Sequence, residues 1–215
     1  MMDGMPKDGG GSAAEVFDEV GARYEEVFAD VPGQLAALDW LVGCLPPGAR
    51  VLDVGSGTGR PAAERLAAAG FDVTGIDVSA GMVRIARERV PGARFEQADV
   101  RTFEAPAGGY DAVCAFFPLL VMDQPEVARS LTRMASWVAP GGALALATVP
   151  GDVRGLEIVW MGHRVTVSSL SEERHLRLLA EAGLDVVHHH RAVYRPHGPD
   201  APPEEHLYVH ARRPA

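Results

Sequence analysis

The chain has 215 residues, 47% of them hydrophobic and 23% charged, and its formal net charge is −9. These values predict one folded globular domain with at most a small appendage, and they exclude a wholly disordered chain. The two cysteines, Cys44 and Cys114, are too few for a disulfide-rich scaffold or a cysteine zinc cluster. An acidic surface repels phosphate backbones, which disfavours nucleic acid as a partner.

Neither a membrane span nor a secretory signal is visible in the sequence. The apolar stretches fall well short of the roughly 20 residues that cross a bilayer, and the Gly- and Asp-rich residues 1–12 contain no apolar signal core. We therefore expect a cytoplasmic protein with no membrane partner, whose first 12 residues are disordered.

Two helices are predicted ahead of the first strand. Apolar residues recur at intervals of three and four residues from Val16 to Phe28, which predicts a helix from Ala13 to Asp30 capped by Ser12. A second helix is expected between Pro32 and Leu45, ended by the Pro-Pro-Gly sequence that follows.

Strands and helices then alternate. Strands are predicted over residues 50–54, 71–76, 93–98, 110–116 and 143–149, with helices ending near Ala69, Val90 and Val138 between them and a turn at 139–142. Several of these strands are apolar throughout, which is typical of a parallel sheet covered on both faces.

The last third departs from this alternation. A helix over residues 171–183 precedes strands at 185–194 and 206–212, which are predicted to form an antiparallel pair at one end of the sheet. Residues 156–168 are predicted to form an extra hairpin that turns at Gly162 and His163.

The strongest functional signal is the sequence Asp-Val-Gly-Ser-Gly-Thr-Gly at 53–59, which lies directly between a strand and a helix. Glycines there allow a tight turn and let backbone N–H groups approach a ligand closely. The nicotinamide fingerprint needs a glycine at the position of Arg60, and a P-loop needs a Lys-Ser/Thr pair after the loop. The sequence has neither feature.

Two acids follow, at the ends of the next two strands. Asp77 is placed to accept hydrogen bonds from both ribose hydroxyls of a nucleoside, and Asp99 to accept from an exocyclic adenine amine. Each acid alone could instead be a helix N-cap or a solvated loop residue. Together with the glycine loop they predict a nucleoside site at the carboxyl ends of the parallel strands.

Four stretches, in this order, carry a resemblance to a known family. They are Val-Leu-Asp-Val-Gly-Ser-Gly-Thr-Gly at 51–59, Gly-Ile-Asp-Val-Ser-Ala-Gly-Met at 75–82, Ala-Asp-Val at 98–100 and Ala-Pro-Gly-Gly-Ala-Leu at 139–144. The sequence from about residue 45 to 215 resembles class I S-adenosylmethionine-dependent methyltransferases of small-molecule type. The resemblance implies an α/β, Rossmann-like fold, with helices on both faces of a seven-stranded, mostly parallel sheet whose last strand is antiparallel.

The resemblance also implies S-adenosyl-L-methionine as cofactor and a set of contacts along it. By this resemblance, the methionine and ribose part is expected to contact Asp53, Gly55, Ser56, Gly57 and Gly59. The ribose is expected to be held by Asp77, with Val78 and Met82 beside the adenine. The adenine edge is expected to contact Asp99 and Val100, and the methionine side Ala115 and Phe116. Residues 13–45 and the hairpin at about 156–168 resemble the variable lid elements of the family, over a cofactor-binding domain at 46–215.

The acceptor is expected to be a small, largely apolar molecule. The strand end at 115–120 lacks the Asn/Asp-Pro-Pro-Tyr/Phe sequence found in methyltransferases that act on nucleobase or glutamine amino groups. It carries apolar residues instead, and the site mouth is predicted to consist of Phe116, Phe117, Leu119, Leu120 and Met122. Tyr24, Phe117, Trp160 and His163 are expected to face a common cavity above the strand ends.

No catalytic residue is identified, because methyl transfer from a sulfonium needs mainly positioning and exclusion of water. His163 and Tyr24 are the candidates for acid–base chemistry, and each could instead be a turn or packing residue. The histidine run at 188–190 is interpreted as a solvent-facing edge strand, so no metal is predicted. A monomer or homodimer, a homologue repurposed for a reaction such as cyclisation, and a non-catalytic binding protein all remain open.

Overall fold

The computed structural model describes residues 12–28, 31–196 and 203–215. Disorder was expected for residues 1–12; residues 1–11 lie outside these ranges, whereas Ser12 is ordered as the N-cap of α1. In chain order the elements are α1 (Ala13–Val20), α2 (Arg23–Phe28), α3 (Pro32–Cys44), β1 (Arg50–Val54), α4 (Ala62–Ala68), β2 (Asp72–Asp77), α5 (Ala80–Arg89), β3 (Arg94–Gln97), β4 (Tyr110–Phe116), α6 (Gln124–Trp137), β5 (Val138–Thr148), β6 (Leu156–Trp160), β7 (His163–Val167), α7 (Glu172–Glu181), β8 (Asp185–Tyr194) and β9 (Glu204–Arg212). Across these described segments, no helix has the length and apolar character that spanning a membrane requires.

Seven strands form one sheet in the order β3-β2-β1-β4-β5-β9-β8. The pairs from β3 to β5 are parallel, whereas β9 runs antiparallel to both β5 and β8. This arrangement confirms the expected fold class. The chain leaves β1 towards one edge and returns as β4 on its other side, which makes the carboxyl ends of β1 and β4 the switch point where ligands bind in such sheets.

The core lies in two layers, one on each face of the sheet. Because successive strand residues point to opposite faces, Val51 packs with Leu38 and Leu66 from α3 and α4, while Leu52 packs with Leu131 and Leu179 from α6 and α7. All six residues are fully buried. The expected helical cover on both faces is therefore present.

Three boundaries differ from the sequence-based expectation. Over the described residues 13–28, the single helix predicted for 13–30 is two helices, because Gly21 adopts a φ of +49° and ends α1. The expected turn at 139–142 lies within β5, where the register shifts so that Val138 and Ala143 pair with β4 across a bulge. The hairpin β6–β7 turns at Met161 and Gly162, both with positive φ, one residue earlier than predicted.

Candidate cofactor and acceptor site

The glycine loop folds back over the end of β2. The backbone N–H groups of Gly55 and Ser56 both donate to the carbonyl of Ile76, at 2.8 and 3.0 Å. Gly55 has a φ of +70°, and a Cβ there would lie 2.4 Å from Cβ of Pro118. Only glycine therefore lets the loop follow this path beside the exit from β4.

Asp77 connects this loop to α5. Its two carboxylate oxygens accept hydrogen bonds from Gly57 N and Ser79 N, both at 2.9 Å. Burial raises the pKa of Asp77, the two N–H donors oppose that rise, and the nearby Asp18 carboxylate adds to it. The side chain thus sits at the strand end, as the sequence predicted, and it orders two elements around it.

Two buried polar atoms beside the loop have no hydrogen-bond partner among the described residues. They are Oδ2 of Asp53 and Oγ of Ser56. Burial raises the pKa of Asp53 to about 7, although the thiol of Cys114 donates to Oδ1 at 3.5 Å. Unpaired polar atoms are costly in a protein interior, so both are suited to a polar ligand that reaches this point.

Asp99 is held by a neighbouring cation. The Arg101 guanidinium donates to both carboxylate oxygens, at 2.6–3.0 Å, and its backbone N–H donates to Oδ1. Burial alone would raise the pKa of Asp99, but these hydrogen bonds outweigh it and bring the pKa below its usual range. Asp99 is therefore ionised and already paired, in contrast to the partly unsatisfied Asp53.

One cavity of about 600 Å³ brings these groups together. Ten of the predicted cofactor residues line it: Asp53, Gly55, Ser56, Gly57, Asp77, Val78, Met82, Asp99, Val100 and Phe116. Two others do not. Gly59 faces inward, where a Cβ would meet Val90 and Phe95 at 3.0–3.1 Å, and Ala115 is buried among the core side chains that α6 covers.

The far end of the cavity is apolar and is walled by three segments. Its residues come from α1 and α2, from the loop after β4, and from β7: Val16, Phe17, Tyr24, Phe28, Phe117, Pro118, Val121, Met122, Val165 and Thr166. The first two helices also bring Ser12, Ala13 and Glu25 to the cavity lining. Two residues expected at the mouth are absent from this wall. Leu119 is packed in the core at 2% exposure, and Leu120 does not line the cavity.

The two candidate acid–base residues are placed differently. Tyr24 lines the cavity, and burial raises its pKa, so its hydroxyl stays protonated and can donate a hydrogen bond. His163 does not line it, because its Nδ1 lies 3.4 Å from a Glu19 carboxylate oxygen on α1. Trp160 packs behind the wall, with ring centroids 5.6–6.2 Å from those of Phe17, Tyr24 and Phe28. The expected common cavity therefore includes Tyr24 and Phe117 but not Trp160 or His163.

Two acids that the sequence analysis missed attach the first two helices to the start of α5 and to the glycine loop. Asp18 of α1 accepts from the hydroxyl of Ser79 and from Gly81 N, the latter at 2.8 Å. Glu25 of α2 accepts from the hydroxyl of Thr58 in the glycine loop and pairs with Arg89. The seven-residue spacing of these two acids was the one signal available in the sequence.

Comparisons with known proteins agree with this geometry. Residues 51–142 match the family model of a methyltransferase domain. The chain is 34% identical over 140 residues to a demethylmenaquinone methyltransferase of Renibacterium salmoninarum, covering 62% of this chain and 57% of the relative. It is 34% identical over 187 residues to a 27-O-demethylrifamycin SV methyltransferase of Amycolatopsis mediterranei, covering 79% and 64%. The chain thus spans between half and two thirds of these relatives.

A solved structure shares the fold over its whole length. The [4+2]-cyclase SpnF superposes with a TM-score of 0.71 at 23% identity, covering 99% of this chain and 100% of that one. At this identity the likeness concerns the fold alone. The same mostly parallel sheet with an antiparallel last strand is therefore found in proteins whose names describe different chemistry.

Proposed function

We propose that this chain, whose residues 51–142 match the family model of a methyltransferase domain, is a class I S-adenosylmethionine-dependent methyltransferase, an enzyme that transfers a methyl group from S-adenosylmethionine to a small, largely apolar acceptor. The observation that carries the proposal is the single cavity, which joins the glycine loop, Asp77 and Asp99 at one end to an apolar wall at the other. A cofactor at the first end and an acceptor at the second would meet inside one cavity.

The residues at the cofactor end suit S-adenosylmethionine. Asp77 can accept from ribose hydroxyls, while Asp99 and Val100 would lie at the adenine edge. The unpartnered oxygens of Asp53 and Ser56 provide polar partners beside the glycine loop for the methionine part. When bound, the cofactor supplies an electrophilic methyl group on a sulfonium.

The protein's part in the reaction is to position the acceptor and keep water away. Phe17 and Phe28 from the first two helices, with Val165 from the hairpin, cover the strand ends with apolar surface. No histidine is found among the described residues that line the cavity. Proximity and orientation therefore carry most of the rate enhancement in this proposal, with the Tyr24 hydroxyl as a hydrogen-bond donor.

The apolar wall supports an apolar acceptor. Ten described residues form it, and Tyr24 and Thr166 are the two among them with side-chain hydroxyls. The names of the two relatives refer to demethylmenaquinone and to 27-O-demethylrifamycin SV, which supports a small-molecule acceptor. We infer that the acceptor presents an apolar body to Phe17, Phe28 and Val165 and its nucleophilic atom to the cofactor end.

A methyl-transfer assay tests the proposal. The full chain is incubated with S-adenosylmethionine and a panel of apolar small molecules, including quinols and polyketides, and S-adenosylhomocysteine is measured. We expect turnover with at least one acceptor and its loss in the Asp77→Ala variant. The matched control is Asp72→Ala, at the exposed start of the same strand, where Asp72 pairs with Arg94. Cofactor binding without turnover on any acceptor would contradict methyl transfer.

A second candidate is a cofactor-binding homologue repurposed for another reaction, since the same fold is found in a protein named as a cyclase. In that case the acceptor would be converted without release of S-adenosylhomocysteine. Mass spectrometry on the same reactions separates the two functions, because methyl transfer adds one methyl group to the product and cyclisation leaves the mass unchanged.

A further inference from the structure

Two histidines on the outer strand of the sheet bring their ring nitrogens together. His188 and His190 are two residues apart on β8, so their side chains lie on the same face of the strand. Nε2 of His188 is 3.2 Å from Nδ1 of His190. Neither is among the residues that line the cavity described above.

This separation matches the bite of a metal chelate. Imidazole nitrogen binds Zn²⁺ at about 2.0–2.1 Å, so two nitrogens on one ion lie about 2.9 Å apart at a right angle and about 3.4 Å apart at the tetrahedral angle. The observed 3.2 Å falls between these limits. A hydrogen bond between an exposed and a half-buried imidazole would by contrast add little stability of its own.

Neighbouring rings hold the two imidazoles in place. The ring of His190 stacks on Tyr208 with centroids 5.2 Å apart, and the ring of His188 lies 5.4 Å from that of His210. His210 itself is stacked on Trp40 at 4.4 Å and is buried, which keeps it in the packing of α3. The pair is thus partly ordered before any cation arrives, and His188 is exposed to solvent.

Both nitrogens need a free lone pair to bind a cation. Within the part of the chain that the structure describes, no three His, Cys, Asp or Glu side chains are grouped so as to hold a metal ion. Water would therefore complete the coordination.

We propose that His188 and His190 form a two-nitrogen chelate for a divalent transition-metal cation on the outer strand of the sheet. Imidazole donors favour Zn²⁺, Ni²⁺ and Cu²⁺, with Cu²⁺ bound most strongly of the three. The site is separate from the proposed methyl transfer, since neither histidine lines the cavity.

Calorimetric titration of ZnCl₂ into the full, untagged chain tests the chelate, after treatment with EDTA and dialysis. We expect one cation per chain, and a loss of affinity of at least about tenfold in His188→Gln and in His190→Gln. His189→Gln is the matched control: it lies between them on the opposite face, with Nδ1 2.8 Å from a Glu172 oxygen, and should bind as the wild type does. Wild-type affinity in His188→Gln, or no binding up to the millimolar range, overturns the proposal.

Electron paramagnetic resonance of the Cu²⁺-loaded protein gives a second readout that does not depend on stability. We expect coupling to two imidazole nitrogens in the wild type and in His189→Gln, and to one in His190→Gln. An identical spectrum in His190→Gln would mean that the cation binds elsewhere, and would overturn the chelate.

Discussion

The backbone N–H of Gly57 donates a hydrogen bond to Oδ2 of Asp77 at 2.9 Å, which joins the glycine loop to the end of the second parallel strand. The other carboxylate oxygen accepts from Ser79 at the start of α5. One side chain thus fixes both elements that border the cofactor end of the cavity. A ribose at this end of the cavity could donate directly to the Asp77 carboxylate, because Asp77 lies in the cavity wall.

Replacing Asp77 should therefore weaken cofactor binding more than any other single acid. A hydrogen bond to a charged acceptor contributes about 1.5–3 kcal/mol, so Asp77→Ala is expected to raise the dissociation constant of S-adenosylhomocysteine at least about tenfold. Asp99→Ala should have a smaller effect, since Arg101 already engages its carboxylate. Calorimetric titration of both variants with S-adenosylhomocysteine compares the two losses of affinity. A larger loss in Asp99→Ala than in Asp77→Ala would contradict the prediction.

Gly57 tests the loop conformation itself. It has a φ of +52°, which side chains rarely adopt, and a Cβ there would meet nothing within 4 Å. Gly57→Ala should therefore shift the backbone that borders the cavity and weaken cofactor binding. Gly70→Ala is the control, because Gly70 has a φ of +87° and equally open surroundings but lies outside the cavity lining. Equal binding by both variants would remove the loop from the site.

The attachment of the first two helices can be tested through Asp18. Its carboxylate accepts hydrogen bonds from two donors at the start of α5. Asp18→Asn should therefore weaken the contact between α1 and α5 by about 1–3 kcal/mol. We expect faster hydrogen–deuterium exchange across residues 12–28. Asp39→Asn, which removes an exposed ion pair with Arg65, should leave that exchange unchanged. Unaltered exchange in Asp18→Asn would show that other contacts hold the lid.

Asp53 should make stability depend on pH. Its pKa is about 7 in the fold, above the usual value for aspartate, because burial disfavours the charged form. The folded state thus binds the proton more tightly than the unfolded chain, so this contribution is complete below about pH 4 and is lost as the pH rises through about 7. Asp53→Asn should remove that dependence and gain stability relative to the wild type at pH 8. Urea unfolding of the wild type and of Asp53→Asn at pH 5 and pH 8 measures this effect. If the two proteins differ in unfolding free energy by the same amount at both pH values, the raised pKa of Asp53 is contradicted.

Helix α3 packs on the sheet through a glycine. A Cβ on Gly33 would lie 2.2 Å from the ring of Tyr208, which is fully buried. Gly33→Ala should therefore destabilise the fold by about 1–3 kcal/mol through overpacking. Gly43→Ala, in the same helix but with nothing within 4 Å, should stabilise it by about 0.5–1 kcal/mol. Thermal unfolding of the two variants should give shifts of opposite sign, and shifts of the same sign would refute the contact.

The sequence by itself determined the sheet and the cofactor end of the cavity. Strand periodicity, the spacing of the glycines and the acids after β2 and β3 are local features, and parallel strands bring their carboxyl ends to one edge whatever the loops do. For this reason Gly55, Asp77 and Asp99 could be predicted to lie together. Their roles in binding stay predictions until the cofactor titrations above are made.

Only the tertiary structure decided which residues line the apolar end of the cavity. Which side of a hairpin or of a lid helix faces inward depends on contacts between segments far apart in sequence, such as Asp18 with Gly81 or His163 with Glu19. The expected lining by Trp160 and His163 was wrong because Trp160 packs on other aromatic rings and His163 turns towards α1. The periodicity of residues within the hairpin or within the first two helices does not show which residues of other segments they contact.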